Sequence, residues 1–393
     1  MRKILSSIIG LTLFISIGLI AILYYINQVA HEKADQAIET LKLSGFELSG
    51  YDSLEIDFLH QSVTLKNLKI ASDTQIWLKL AISEVKLDGI DPFSNQSINI
   101  ATARLGDVKA TYYGENYKFD EILVNQLSFD YRPRFERILS APTIAEKIQF
   151  AHDELGYDSV SFKKLMLSDN LDKVSHIAEG HFTKQAIVDN LPSNWELHLS
   201  GMEINQNHLP LEYGQLLADY NITELNGILD VSFNYSAADN SGIFTVNNLN
   251  FGGLANLQSE IMVTLNDKRF IDLYNFDKLE ANLNRLPIEY AKINYHDLGL
   301  YNYFIEQQAV KLDMPVKSLK AQIYFGISFL GRDIKNIERR KVISKPFFEF
   351  IRQPGRLNLE FSPAKPVRFS HYLRNYNLGT LVRDLNPKIE YFE

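Results

Sequence analysis

One eight-residue pattern recurs along the chain and limits what most of it can fold into. It reads apolar-polar-apolar, two further residues, then apolar-polar-apolar. Strict matches cover residues 63–70 (VTLKNLKI), 103–110 (ARLGDVKA), 197–204 (LHLSGMEI), 244–251 (FTVNNLNF) and 281–288 (ANLNRLPI), and looser ones start at Leu80, Ile122 and Val160. Chance would give roughly one or two strict matches, so the alternation predicts β-strands through much of the chain.

The two central positions of the pattern shift the alternation by one residue. A continuous strand keeps both halves on one face only by inserting a β-bulge there, which bends the sheet. The spacing between matches is irregular, which argues against a solenoid of fixed period. We therefore predict a mainly β chain, with a long, curved antiparallel sheet over residues 45–290 and few helices. A plain antiparallel sandwich with occasional bulges fits the same pattern.

The amino-terminal residues differ from everything that follows. Residues 4–26 are uncharged and mostly apolar, and Arg2 and Lys3 precede them. A helix of this length is about 35 Å long, which spans a hydrocarbon layer of about 30 Å. No small-x-small cleavage site follows the run. Residues 1–30 are therefore predicted to be a retained signal anchor and not a cleaved signal peptide. Arg2 and Lys3 favour a cytoplasmic amino terminus, with a helical stalk at 31–44 and the body on the far side.

Composition excludes several classes of protein. Hydrophobic residues make up 46% of the chain and aromatic residues 12%, so a large core can form and disorder is not expected. The absence of cysteine excludes disulfides and thiolate metal sites. A formal net charge of −8 argues against a nucleic-acid-binding protein.

The carboxyl-terminal region, residues 291–393, is predicted to mix helices and strands, with a soft boundary near residue 290. Helical spacing appears over Leu300–Leu312 and Ile334–Ile351, and in the preceding body over Thr143–Leu155. Alternation over Val316–Phe329 predicts a strand, and Leu357–Phe361 predicts another, which ends before Pro363 and Pro366.

Positive charge is concentrated near the carboxyl terminus. Residues 301–393 contain 16 Lys and Arg against 9 Asp and Glu. A candidate basic patch for anionic headgroups or an acidic partner consists of Lys335, Arg339, Arg340, Lys341, Lys345, Arg352 and Arg356. The alternative, a solvated helix face of ordinary kind, is the one we favour.

Catalytic signatures are absent from the sequence. No HExxH, Gly-x-Ser-x-Gly or phosphate-binding glycine motif occurs. The nearest histidine cluster is His176, Glu179 and His181, but on a strand positions 176 and 181 would point to opposite faces, which disfavours shared metal ligation. The neighbours His296 and Asp297 are better read as a strand end whose Asp297 or Gly299 caps the next helix. We therefore expect no catalytic residues, cofactor or metal.

The chain resembles the AsmA-like proteins of the Gram-negative envelope over residues 1–290. The resemblance rests on an apolar amino-terminal segment followed by strand-like sequences such as VTLKNLKIAS and FTVNNLNFGG. The resemblance implies a single inner-membrane span, a periplasmic body and a role in phospholipid movement or outer-membrane homeostasis. It also implies a curved sheet whose apolar groove receives acyl chains.

The leading hypothesis is thus a membrane-anchored, noncatalytic envelope protein that binds lipid or another apolar ligand. Inward positions of the pattern would line the groove, although they fit a sealed core equally well: Val63, Leu65, Leu68, Ile70, Phe162, Leu165, Phe244, Val246, Leu249 and Phe251. The alternatives are an assembly factor that binds an envelope protein through its sheet edges, and an anchored hydrolase.

Overall fold

The computed structural model describes most of the chain from residue 49 onward. It leaves out residues 58–59, 72–77, 91–96, 113, 131–154, 170, 172, 186, 189–190, 193, 210, 266–285, 331, 333, 335 and 369–377. Before residue 49 it describes Glu39 and Lys42, which are helical and exposed. The predicted anchor over residues 4–26 and nearly all of the predicted helix Thr143–Leu155 therefore lie outside the described residues. In the described part, no helix is long and apolar enough to cross a membrane.

Strands dominate the described chain. They are β1 (Ser53–Asp57), β2 (Ser62–Ala71), β3 (Leu78–Ile90), β4 (Ser97–Tyr112), β5 (Glu115–Asp130), β6 (Leu155–Gly156), β7 (Ser159–Ser168), β8 (Val174–Lys184), β9 (Ile187–Val188), β10 (Leu191–Pro192), β11 (Asn194–Asn205), β12 (Glu224–Ser236), β13 (Ser241–Phe251), β14 (Ala255–Thr264), β15 (Pro287–Asp297), β16 (Arg356–Phe361), β17 (Val367–Arg368) and β18 (Pro387–Phe392). The helices are α1 (Leu211–Asp219), α2 (Leu300–Lys311), α3 (Val316–Leu330), α4 (Ile337–Arg352) and α5 (Leu378–Leu385).

The chain forms two compact units. The first contains residues 1–184 and 199–211, and the second contains residues 185–198 and 212–393. Strands β1 to β5, β7 and β8 follow one another across the sheet of the first unit, with β6 beside β5. In the second unit the order is β12, β13, β14, β15, β16 and β18, with β17 beside β15. Every pairing we describe is antiparallel.

A line of left-handed residues crosses the sheet of the first unit. Asn67 on β2, Asp107 on β4, Lys164 on β7 and Gly201 on β11 have φ values between +49° and +57°. Each occupies the fifth position of the recurring eight-residue pattern. Residues of this conformation turn the strand direction sharply, so their alignment makes a crease that runs across the strands.

The crease replaces the bulges that we predicted for these strands. On its two sides Lys66 pairs with Glu84 and Leu68 with Ile82, so β2 and β3 cross it without a change of register. No extra residue is needed because the neighbouring strand shifts its phase at the same place, where Ser83 and Glu84 are both exposed. The apolar residues before and after the crease consequently lie on one face.

The second unit contains bulges of the predicted kind. Strand β13 has one more residue than β12 where Asp230 pairs with Asn248 and Val231 with Val246. This extra residue restores the phase of β13, so that Val246 and Leu249 lie on the same face. The predicted bulge is therefore confirmed at residues 244–251, whereas residues 281–285 of the last match lie outside the described part.

Three predicted elements of the carboxyl-terminal region are confirmed and one is wrong. Helices α2 and α4 and strand β16 form where the sequence predicted them. The predicted strand Val316–Phe329 is instead helix α3. Leu319 and Ile323, four residues apart, pack with Ile305 and Ala309 of α2, whereas Phe325 is 66% exposed. The alternation was misleading because apolar residues occur on several sides of this helix.

The fold class is thus confirmed as mainly β with a curved antiparallel sheet and few helices. Among the described strands, β1 pairs only with β2, and β18 only with β16. The predicted boundary near residue 290 falls inside β15, which pairs with β14 on one side and β16 on the other.

Candidate functional site

The predicted groove residues of the first unit are tightly buried. Their exposed fractions run from 1% to 6%, for Val63, Leu65, Leu68, Ile70, Phe162 and Leu165. Phe162 packs edge-to-face on Phe119 with ring centroids 5.5 Å apart. Its ring also lies over Gly180, where an added Cβ would be 2.1 Å from a ring carbon. Burial and ring contacts of this kind are those of a sealed protein core, so these positions leave no open groove.

The predicted groove residues of the second unit are less covered. Phe244, Val246, Leu249 and Phe251 on β13 are all only partly buried. Phe244 contacts Phe233, which is fully buried, at a centroid distance of 4.5 Å. The remaining three lie farther along the same face of β13.

Cross-strand pairing extends this face over four strands. Val231, Val246 and Ser259 are directly paired, and Ser259 pairs with Ile293 of β15. Leu249 pairs with Leu257 in the neighbouring row. We call the partly buried apolar members of these two rows the apolar strip, which consists of Val231, Val246, Leu249, Leu257 and Ile293.

Helices cover the far end of the same face. The pairs Tyr295–Leu357 and Leu359–Ile389 continue the two rows onto β16 and β18. There the face packs against α4 and α5 in a cluster that contains Ile343, Phe350, Val382, Leu357 and Ile389. The apolar strip therefore adjoins a packed core but keeps part of its own surface exposed.

The predicted basic patch is largely occupied by contacts within the chain. Arg339 donates hydrogen bonds to the carbonyl oxygen of Val382 and to Asn386 Oδ1, each at 3.0 Å. Arg340 donates to the carbonyl oxygen of Ile334 at 2.8 Å. These two arginines hold the start of α4 in place rather than presenting their charge.

The other described members of the patch are solvated. Lys341 and Lys345 form ion pairs with acids on the same helix, Glu338 at 3.1 Å and Glu349 at 3.8 Å. Arg352 and Arg356 are exposed, and Lys335 lies outside the described residues. Charges paired in this way along one helix are typical of an ordinary solvated face.

The histidine cluster is arranged differently from the prediction. His176, Glu179 and His181 are all exposed on one face of β8, because the crease shifts the phase of that strand between Ile177 and Gly180. Our expectation that His176 and His181 would lie on opposite faces was therefore wrong. Over the described part of the chain, no group of three His, Asp or Glu residues could hold a metal ion.

Sequence reasoning missed a buried Ser-His contact. Ser175 Oγ and His208 Nδ1 are 2.6 Å apart, and His208 Nε2 lies 3.7 Å from Asp169 Oδ2. Burial raises the pKa of Asp169, but the backbone N–H groups of Lys173 and Leu171 and the charges of His208 and Lys173 together lower it more, so its pKa lies below the ordinary value. These residues come together because β8 and the turn after β11 are neighbours in space. No local sequence motif predicts that contact.

The side-chain contacts run from a serine to a histidine to an aspartate, as in a hydrolase triad, but the geometry and the exposure of the serine differ. Ser175 and His208 are only 2% and 3% exposed, and Ser175 Oγ also accepts the backbone N–H of Asn205 at 2.8 Å. In a triad the serine faces Nε2, and the nucleophile must reach substrate. Here the serine faces Nδ1 and is sealed, so the contact fixes the turn Gln206–His208 against β8.

Asp297 caps helix α2, as the sequence predicted. Its carboxylate accepts hydrogen bonds from the backbone N–H of Tyr301 at 2.8 Å and of Gly299 at 3.1 Å. It also accepts the Tyr295 hydroxyl at 2.8 Å. Burial, together with this contact to Asp297, raises the pKa of Tyr295. His296 pairs with Asn256 and Arg356 on the two neighbouring strands.

A protein-family model described as an uncharacterized protein matches residues 242–391. That range begins in β13 and includes β14 to β18 and α2 to α5. A search of curated proteins gave no match.

Proposed function

We propose that this protein is a membrane-anchored, noncatalytic protein of the bacterial envelope that binds a lipid acyl chain on the apolar strip of its second unit. The predicted segment over residues 4–26 would anchor it in the inner membrane with the body in the periplasm. Its role would then be lipid transport or the maintenance of the outer membrane.

The observation that carries this proposal is the partial exposure of an apolar face. The strip from Val231 on β12 to Ile293 on β15 crosses three strand spacings of about 4.8 Å, or about 14 Å in all. Its five members are aliphatic, and the small polar residue Ser259 lies between Val246 and Ile293 in the same row. An acyl chain laid across it would gain about 0.8 kcal/mol for each methylene that it buries.

Site-specific photocrosslinking tests this proposal. A benzoylphenylalanine in place of Leu257 should crosslink to phospholipid when the full-length protein is expressed in bacterial membranes. The control places the same residue at Gln258, which is exposed on the opposite face of β14. Mass spectrometry of the purified adducts identifies the lipid. No lipid adduct at position 257, equal labelling at 257 and 258, or a protein adduct at 257 would each overturn the proposal.

A further inference from the structure

Three lysines lie in one row across the first unit, on the face opposite to the buried apolar residues. Lys69 on β2 pairs with Ala81 on β3, Ala81 with Lys109 on β4, and Lys109 with Lys118 on β5. Directly paired residues of an antiparallel sheet share a face, so all three lysines point the same way.

Lys79 adds a fourth ammonium group to this face. It is two residues before Ala81 on β3 and pairs with Ala71 and Thr111. At about 4.8 Å between strands, Lys69 and Lys109 are about 10 Å apart at the backbone. A cavity of about 580 Å³ is lined by all four lysines, together with Ala71 and Ala81, and no Asp or Glu is among its lining residues in the described part of the chain.

Nearby lysines on the same face are neutralised. Lys163 pairs with Glu121 at 2.9 Å, and Lys86 with Asp88 at 3.1 Å. Asp120, the acid two residues after Lys118, pairs with Lys164 at 2.7 Å. By contrast, none of Lys69, Lys79, Lys109 and Lys118 has an ion pair within the part of the chain that the structure describes.

The arrangement of these lysines is unfavourable for the protein alone. Lys109 and Lys118 are directly opposite each other across β4 and β5, and like charges in such a position destabilise a sheet. Asp120 attracts Lys118, but it is ion-paired with Lys164 and is not among the described residues that line the cavity. An anion bound between the lysines would supply the missing charge.

We infer that this lysine cavity, lined by Lys69, Lys79, Lys109 and Lys118, binds a ligand that carries two or more phosphate groups. The lysines are spread too widely for a single carboxylate to contact them all, whereas several phosphate groups can. The site lies in the first unit and uses none of the apolar strip, so it goes beyond the function proposed above. If the cavity does not bind phosphate, the proposed binding of lipid to the apolar strip is unaffected. If the apolar strip does not bind lipid, the inference about the cavity is unaffected.

Calorimetric titration of the full-length protein in dodecyl maltoside tests the inference. One arm uses tripolyphosphate as a soluble anion, and the other uses mixed micelles that contain cardiolipin, a lipid that carries two phosphate groups. We expect binding in at least one arm, weakened by added salt and reduced at least about tenfold in the double variant Lys109→Gln with Lys118→Gln. The arm that shows this dependence identifies the source of the phosphate.

A matched control separates this site from general attraction to positive charge. The double variant Lys86→Gln with Lys163→Gln removes two ion-paired lysines from the same face, and it should change the affinity less than about twofold. The bound anion should also raise the melting temperature of the wild type and of this control, but not of Lys109→Gln with Lys118→Gln. Failure to bind in both arms, or an equal loss in the two double variants, would overturn the inference.

Discussion

Ser175 and His208 form a buried side-chain hydrogen bond of 2.6 Å across 33 positions of the chain. It fixes the turn after β11 against β8, and Asn205 completes it through its backbone N–H. We expect Ser175→Ala to lower the free energy of unfolding by about 1–2 kcal/mol, since it leaves a polar group unsatisfied in the interior. Urea unfolding of the full-length protein measures this loss.

Exposed His176, next to Ser175 on the same strand, provides the control for that experiment. His176→Ala should change stability by less than about 0.5 kcal/mol. If Ser175→Ala proved as neutral as His176→Ala, the contact would not hold the turn.

Lys184 makes the stability of the protein depend on pH. Burial lowers the pKa of Lys184 to about 8, although Asp158 opposes this. Because the unfolded chain keeps the lysine protonated up to its ordinary value of 10.5, the unfolded state binds more protons between about pH 8 and 10.5, and stability should rise with pH over that window. The contact of its ammonium with the Tyr157 ring, 3.7 Å away, offsets part of the effect.

Replacement of Lys184 tests that pH dependence. Lys184→Met should stabilise the protein at pH 7 by about 1–3 kcal/mol, and the difference from wild type should shrink as the pH is raised toward 10.5. Urea unfolding at several pH values measures it, with Lys173→Met as the exposed control. A difference that stays constant with pH would show that packing, not charge, causes the change.

Asp297 holds three groups with one carboxylate. Asp297→Ala removes the acceptor of the Tyr295 hydroxyl and of two backbone N–H groups, and we expect a loss of about 2–3 kcal/mol. His296→Ala, at the neighbouring position, should cost less than about 0.5 kcal/mol. Thermal unfolding followed by circular dichroism compares the two variants. Similar losses would argue against the capping role of Asp297.

Gly201 lets β11 join the crease of the first unit. Its φ is +57°, and an added Cβ would lie 2.6 Å from the Cβ of Ala178. Gly201→Ala should therefore destabilise the protein by about 1–3 kcal/mol. Gly106→Ala is the control, because Gly106 lies next to the crease on β4, has an ordinary φ, and an added Cβ would meet Glu84 Cβ at an ordinary contact distance of 3.9 Å. Equal stability of the two variants in urea would contradict the requirement for glycine at position 201.

Local pattern predicted much of the fold. The positions of the apolar residues predicted strands at β2, β4, β7 and β13, because burial of one face requires apolar and polar residues to alternate. They also predicted that this alternation shifts by one residue once in each strand. The pattern could not show that neighbouring strands shift together, which makes a crease rather than a row of bulges. It also failed on α3, where apolar side chains on several sides of a helix imitate the alternation of a strand.

The sites were less predictable than the fold. Lys69 and Lys109 both occupy the seventh position of the eight-residue pattern, so an alignment of the matches would have brought them into one row. Lys79, Lys118 and the Ser175–His208 contact carry no such signal, because strand pairing alone brings them to their partners.

By itself, then, the sequence determined the β-rich character of the body, the apolar face of each strand and the cap at Asp297, because these depend on residues close in the chain. Only the tertiary structure decided that the apolar face is sealed in the first unit and partly open along the strip from Val231 to Ile293 in the second. Exposure depends on which element packs over a face, and that element is far away in the sequence.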